Sequence, residues 1–203
     1  MALTLNGSNN TIAGVAVGGL PDGVVDNDMI ANTTIAEGKL AADVNTITEA
    51  DIWRITSGVE TGTGGAELHF NANWERADTY QAGKIGTGMS ESSGIFTFPS
   101  TGLWQIDFRA VGKKSSATIK YIAAQIKTTI NNSAYNAQSQ AYTWIESNGG
   151  GCWTSLNAIA LFDVTDTSNC KCKFVAGADL AFGFYGDSST NQTYAIFTRL
   201  GDT

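Results

Sequence analysis

The chain has 203 residues, carries 12 Lys plus Arg against 19 Asp plus Glu for a net charge of -7, and is only 15% charged, against about 25% in an ordinary soluble domain. Nucleic-acid backbone needs a basic surface, so this balance excludes nucleic acid as an expected partner. No apolar run approaches the ~20 residues that cross a bilayer. The opening MALTLNGSNN also lacks a basic-then-apolar leader, so neither membrane insertion nor export by a signal of its own is expected.

Residues 1–50 hold six acids (Asp22, Asp26, Asp28, Glu37, Asp43, Glu49) and one base, Lys39, and none of the tryptophans or phenylalanines. Such a stretch builds no aromatic core. Its apolar residues (Leu3 and Leu5, Val15 and Val17, Val24 and Val25) stand in isolated pairs between Gly, Asn and Asp, without a helical period. They are expected to order only against another surface or against copies of themselves. The run from Asp28 to Asp43 admits a short helix with Asp28 as N-cap, weakened by Gly38 and two threonines.

Beyond residue 50 the period becomes two. In GLWQIDFRA, Trp104, Ile106, Phe108 and Ala110 share a face opposite Gln105, Asp107 and Arg109, the pattern of a half-buried antiparallel strand. In ATIKYIAAQIKTTI, Ile122, Ala124, Ile126, Thr128 and Ile130 share a face. In CWTSLNAIALFDV, so do Leu156, Ala158, Ala160, Phe162 and Val164. TYAIFTRL sets Tyr194, Ile196 and Leu200 opposite Ala195 and Phe197. The breaks between these runs (GTGG, SESSG, FPSTG, NGGG, DTSN, GDSST) are turn sequences. Many short strands with Gly-rich turns predict an all-β fold, an antiparallel sandwich or jelly roll.

Chemistry-bearing residues are few. One histidine, His69, has no partner at ligand or catalytic spacing, and there is no GxxxxGK[ST], HExxH or CxxC. No catalytic, cofactor or metal-binding residue is assigned, and no enzymatic activity or cofactor is expected. Cys170 and Cys172 alternate with Lys171 and Lys173 and share a face with Phe174, which reads as buried core beside an outward basic pair. Asp163, Asp166 and Asp187 lie near turns and match no calcium loop, so they read as solvated turn acids. Trp153, on the face opposite Leu156, and Phe197 are expected at a contact between subunits, where large aromatics concentrate. Tyr142 and Trp144, just before the NGGG turn, are the expected exposed aromatics for a glycan contact.

Three segments carry a resemblance. SGIFTFPSTGLWQIDFRA resembles the Phe-x-x-Pro-x-x-Gly turn and aromatic strand of the jelly-roll heads of complement and the tumour-necrosis-factor family, with Pro99 and Gly102 at the turn. The pair of long segments ATIKYIAAQIKTT and CWTSLNAIALFDVTDTSNCKCKFVAG is similar to that family's central strands, and TYAIFTRLGDT to its closing strand. The resemblance covers about residues 51–203 and implies a homotrimer, without the Gly-x-y stalk of the complement proteins. LTLNGSNNTIAGVAVGGLPDGVVDNDMIANTTIAEGKLAAD resembles anchoring and shaft segments of tailed-phage virion proteins, especially those of marine and cyanobacterial phages. NWERADTYQAGKIGTGMSESSGIFTFPSTGLWQIDF is similar to the start of head domains on such proteins.

Together these imply an anchor over residues 1–48 and a jelly-roll head over residues 49–203. The anchoring residues would be Leu3, Leu5, Val15, Val17 and Val24, meeting capsid or tail proteins. The expected protein is a non-enzymatic homotrimer on the virion surface, assembled in the host cytoplasm. The short anchor favours a capsid decoration or head fibre. The alternative is a tail-fibre or spike protein that recognises host surface glycan.

Overall fold

The computed structural model describes residues 4–6, 11–13, 47–61, 67–114, 117–147 and 149–203, the first two stretches as backbone. The chain divides into two units, Met1–Thr46 and Ile47–Thr203. In the first, β1 (Thr4–Asn6) pairs with β2 (Thr11–Ala13) in antiparallel register, Leu5 opposite Ile12. The N-terminal stretch, expected to be extended and mostly irregular, contains this short two-stranded pairing, and such a pair alone is marginal in water. Leu3, Val15, Val17, Val24 and the helix considered over residues 28–43 lie outside the described residues.

The second unit is a sandwich of two antiparallel sheets, and no helix occurs among the described residues. Its early strands are short: β3 (Ala50–Ile55), β4 (Val59–Glu60), β5 (Leu68–His69), β6 (Trp74–Arg76), β7 (Ser90–Ser92) and β8 (Ile95–Thr97). The long ones follow: β9 (Gly102–Lys114), β10 (Ile119–Thr129), β11 (Asn136–Ile145), β12 (Cys152–Val164) and β13 (Lys171–Ala178). The short β14 (Gly183–Phe184) and the closing β15 (Tyr194–Gly201) complete the set. One sheet runs β11-β10-β13-β8-β7, with β5 on β13. The other runs β4-β14-β9-β15-β3-β6, with β12 on the free side of β9. β9 and β12 pair without a register shift from Gly102↔Val164 to Lys114↔Cys152. β3 begins and β15 finishes at the end of the sandwich where β9 starts, here called proximal; β14 lies at the distal end.

The core is aromatic and bridges the sheets. Phe108 of β9 stacks on Phe174 of β13 with centroids 4.4 Å apart. Phe96 meets Phe174 at 5.4 Å and Phe197 at 5.1 Å, and Trp74 meets Phe96 edge-on at 5.1 Å. Small buried residues among these rings (Ala158 and Ala195, both paired with Phe108, and Ala124, Ala160 and Ala176) let the sheets close on them. Cys170 and Cys172 are buried in the same cluster, and burial pushes the Cys172 thiol well above its ordinary value. They are core, not a redox or metal pair.

Two placements differ from the sequence reading. Phe197 has no exposed surface; it faces inward between Phe96 and Phe174, so it has nothing to offer a second subunit. Ile130 is 73% exposed, because β10 stops at Thr129 and the chain turns there, with Thr129 Oγ1 donating to Asn131 Oδ1 at 2.9 Å. Alternation cannot be extended past the end of a ladder.

At the proximal end a buried carboxylate ties the turn to the sheet. Asp51 accepts from Trp53 Nε1 at 2.9 Å, the Met89 amide at 2.8 Å, and Arg76 Nε and Nη2 at 3.0 and 3.1 Å. Gly102 enters β9 with φ +127°, and a Cβ there would lie 2.4 Å from the Gly201 carbonyl oxygen, so glycine is required. Two outcomes are expected from this architecture. A fragment of residues 47–203 retains a cooperative β-rich melt, read by circular dichroism. Asp51→Ala strands buried donors and lowers unfolding free energy by about 3 kcal/mol or more in urea titration.

Candidate functional site

The sheet containing β9, β12 and β15 has one face in the core, and its other face is uneven. Over β3 it is covered by the chain itself. Arg54, 1% exposed, donates to Glu75 Oε1, to Thr79 Oγ1 and to Asp78 Oδ1, each at 2.7 Å. Thr79 Oγ1 in turn donates to the Ser189 carbonyl at 2.9 Å, tying the covering loop to the segment before β15. A guanidinium with this little contact with water needs such a set of partners.

Over β12 nothing among the described residues covers the face. The inward series Leu156, Ala158, Ala160, Phe162 and Val164 leaves Trp153, Ile159 and Leu161 outward at 56, 51 and 53% exposure. Ile159 lies directly opposite Asp107 of β9, and Asp107 directly opposite Ile196 of β15. One carboxylate thus stands in a row of isoleucines. Burial raises the Asp107 carboxyl above its ordinary value, partly offset by a hydrogen bond from Asn157. An outward strand face carries polar groups when it faces water; on β12, Ser155, Asn157 and Asp163 follow that rule, while Trp153, Ile159 and Leu161 put large apolar side chains on the same face, the composition of a surface that another surface covers in part.

The other sequence-derived residues fall elsewhere. Tyr142 and Trp144 project from the same side of the edge strand β11 at 63 and 61% exposure, with Tyr142 Oη donating to Gln140 Oε1 at 2.6 Å. They are close to each other and belong to the other sheet. Trp153 is not isolated on its face: its ring lies 4.6 Å from that of Tyr185, and Lys113 Nζ stands 5.3 Å from its centroid. His69 on β5 is exposed, with Nε2 3.9 Å from Glu67, which pairs with Lys127 at 2.6 Å. Desolvation and the nearby Lys173 lower the His69 pKa, and the Lys127 hydrogen bond lowers that of Glu67.

The turn acids act on their own backbone. Asp166 accepts from the Ser168 amide at 2.7 Å and from Asn169 Nδ2 at 2.6 Å; Asp187 accepts from the amides of Ser189 and Thr190 at 2.6 and 2.7 Å. These backbone donors hold both carboxyls below the usual range. Asp163 accepts instead from Thr203 Oγ1 at 3.0 Å. Among the described residues no three His, Cys, Asp or Glu side chains come together as a metal cluster.

No protein-family model matches the chain, and no curated protein matches it. Solved structures do. Eiger TNF from S. frugiperda superposes with a TM-score of 0.58 at 12% identity, over 76% of this chain and 93% of that one. Murine APRIL at pH 5.0 superposes with a TM-score of 0.51 at 10% identity, over 75% of this chain and 99% of that one. The second unit therefore has a TNF-like jelly-roll fold.

The raised Asp107 pKa has a definite sign. The folded state holds this proton more readily than the unfolded chain, so the carboxyl favours folding only as pH falls through the raised value, and as a carboxylate it opposes folding above it. Asp107→Asn is expected to raise Tm at neutral pH, and the gain should vanish in acid where Asp107 is already protonated. Thermal melts of both proteins across pH check this.

Proposed function

We propose that the chain is a non-enzymatic, homotrimeric structural protein of a tailed-phage virion, a capsid decoration or head fibre whose TNF-like head projects from the particle. The observation that carries the self-association is the uncovered outer face of β12, with Ile159 and Leu161 at its middle and Trp153 toward its distal end. An edge strand presenting exposed Ile and Leu fits a repeated, self-complementary contact better than contact with water. The resemblance of residues 51–203 to trimeric heads supports three copies. The resemblance of the N-terminal stretch to tailed-phage anchoring segments supports attachment to a particle, with Leu3, Leu5, Val15, Val17 and Val24 as the apolar contacts. The aromatic-free composition of residues 1–50 agrees with a part that is ordered by what it binds.

A second reading, a tail-fibre or spike protein that recognises host glycan, is favoured by one observation: Tyr142 and Trp144 expose two aromatic surfaces on the same side of an edge strand. Flat aromatic pairs of this kind suit the apolar faces of sugar rings.

Two experiments test the proposal. Sedimentation equilibrium of the full chain is expected to give a trimer, and the double variant Ile159→Asp, Leu161→Asp a monomer that melts as the parent does; a parent that is monomeric at micromolar concentration would contradict it. Gold-labelled antibody against the head is expected to decorate intact phage particles at regular capsid positions. Label confined to tails would favour the second reading, and unlabelled particles would overturn both.

A further inference from the structure

At the distal end of the head, four strands set one outward row in register: Trp153 of β12, Lys113 of β9, Gly183 of β14 and Glu60 of β4. Because Gly183 has no side chain, the row dips in its middle. A cleft of about 660 Å³ opens there, lined by Gly58, Glu60, Lys113, Lys114 and Tyr185 among others, within the size range of small-molecule sites.

The walls are fixed from beneath. Thr61, 2% exposed, donates its amide to the Phe182 carbonyl at 2.8 Å and accepts the Phe182 amide at Oγ1 at 2.8 Å. Phe182 and Phe184 pack edge-on at 5.0 Å, and a Cβ on Gly112 would lie 2.2 Å from the Phe182 ring. Lys114 is held by donating to the Ala181 carbonyl at 2.6 Å. Against this fixed floor stand two charged groups that no ion pair holds among the described residues. Lys113 has no carboxylate partner among the described residues and sits over the Trp153 ring, and Glu60 has no ion-pair partner among them. Tyr185 lines the cleft, and Trp153 continues its aromatic surface past the rim.

We infer that this cleft binds a carboxylated saccharide, with a sugar ring on the Tyr185 ring inside the cleft, its carboxylate on Lys113, and its hydroxyls donating to Glu60. Each element has its chemical reason. The Tyr185 ring takes the apolar face of a sugar ring, the Lys113 ammonium takes a carboxylate in a charge-assisted hydrogen bond, and the carboxylate of Glu60 accepts from hydroxyls while repelling a polyphosphate. Two lysines amid a chain of net charge -7 form a local cationic island rather than a nucleic-acid track. The cleft lies at the end of the sandwich opposite the start of β3, so the head presents it away from the point where the chain enters. It is built from one head and stands apart from Tyr142 and Trp144, and it does not depend on the virion reading.

The test is titration of the full-length protein with an oligogalacturonate, which carries one carboxylate per sugar, and with the neutral maltoheptaose, read by tryptophan fluorescence and calorimetry. The oligogalacturonate is expected to bind and maltoheptaose to bind at least about tenfold more weakly, with Lys113→Gln and Tyr185→Ala each weakening the acidic ligand by about tenfold or more. Trp144→Ala is expected to leave it unchanged, and melting curves report whether each variant is folded. A contact between copies along β12 reaches Trp153, so the variants are placed at Lys113 and Tyr185 instead. Equal binding of both saccharides, binding of neither, retention of affinity in Lys113→Gln, or loss of affinity in Trp144→Ala would each overturn the assignment.

Discussion

The Phe108–Phe174 stack at 4.4 Å is the contact on which the head depends. It joins the middle strand of one sheet to the middle strand of the other, and Phe96, Phe197, Trp74 and Phe70 gather around it. A sheet of Val and Ile fills such a space from both sides in similar increments. Here large rings from a few positions stand beside buried alanines of the same and neighbouring strands, so the sheets close only in the register that interleaves them. That register fixes which face of β12 turns outward, and so places Trp153, Ile159 and Leu161 together.

The two sides of the outer sheet solve the same problem in opposite ways. Over β3 the chain covers its own sheet and satisfies a buried guanidinium with Glu75, Asp78 and Thr79. Over β12 the described residues supply no such cover, and Trp153, Ile159 and Leu161 stand exposed among Ser155, Asn157 and Asp163. A fold that manages its polar groups this carefully on one side and exposes Ile and Leu on the other is consistent with a partner surface. A second copy of the same head meets that need with no new sequence.

The long strands were legible because period-two alternation survives over eight or more residues: β9 and β12 bury the faces that their sequences mark, and Cys170 and Cys172 follow Phe174 inward. On β15 the alternation separated Tyr194, Ile196 and Leu200 from Ala195 and Phe197 without saying which face is core, and Phe197, expected at a contact between subunits, is buried. The strands of two or three residues, β4 to β8 and β14, are too short to show a period and form because longer neighbours offer them ladders. The Asp51–Arg76 and Arg54–Glu75 pairs and the distal cleft were invisible for a different reason. Their members lie 21 to more than 100 residues apart and meet only after the sheets have formed. The paired Leu5 and Ile12 of the first unit show no periodic signal either, because three-residue strands carry none.

The central claim is that the face carried by β12 assembles the head with itself. Sedimentation equilibrium of a fragment of residues 47–203, which contains the whole aromatic core and none of the N-terminal unit, tests it most directly. The account predicts a homotrimer at micromolar concentration, since the surface responsible lies within the fragment. A monomeric fragment with an intact cooperative melt would contradict it and would move the assembly of the protein to its first 46 residues.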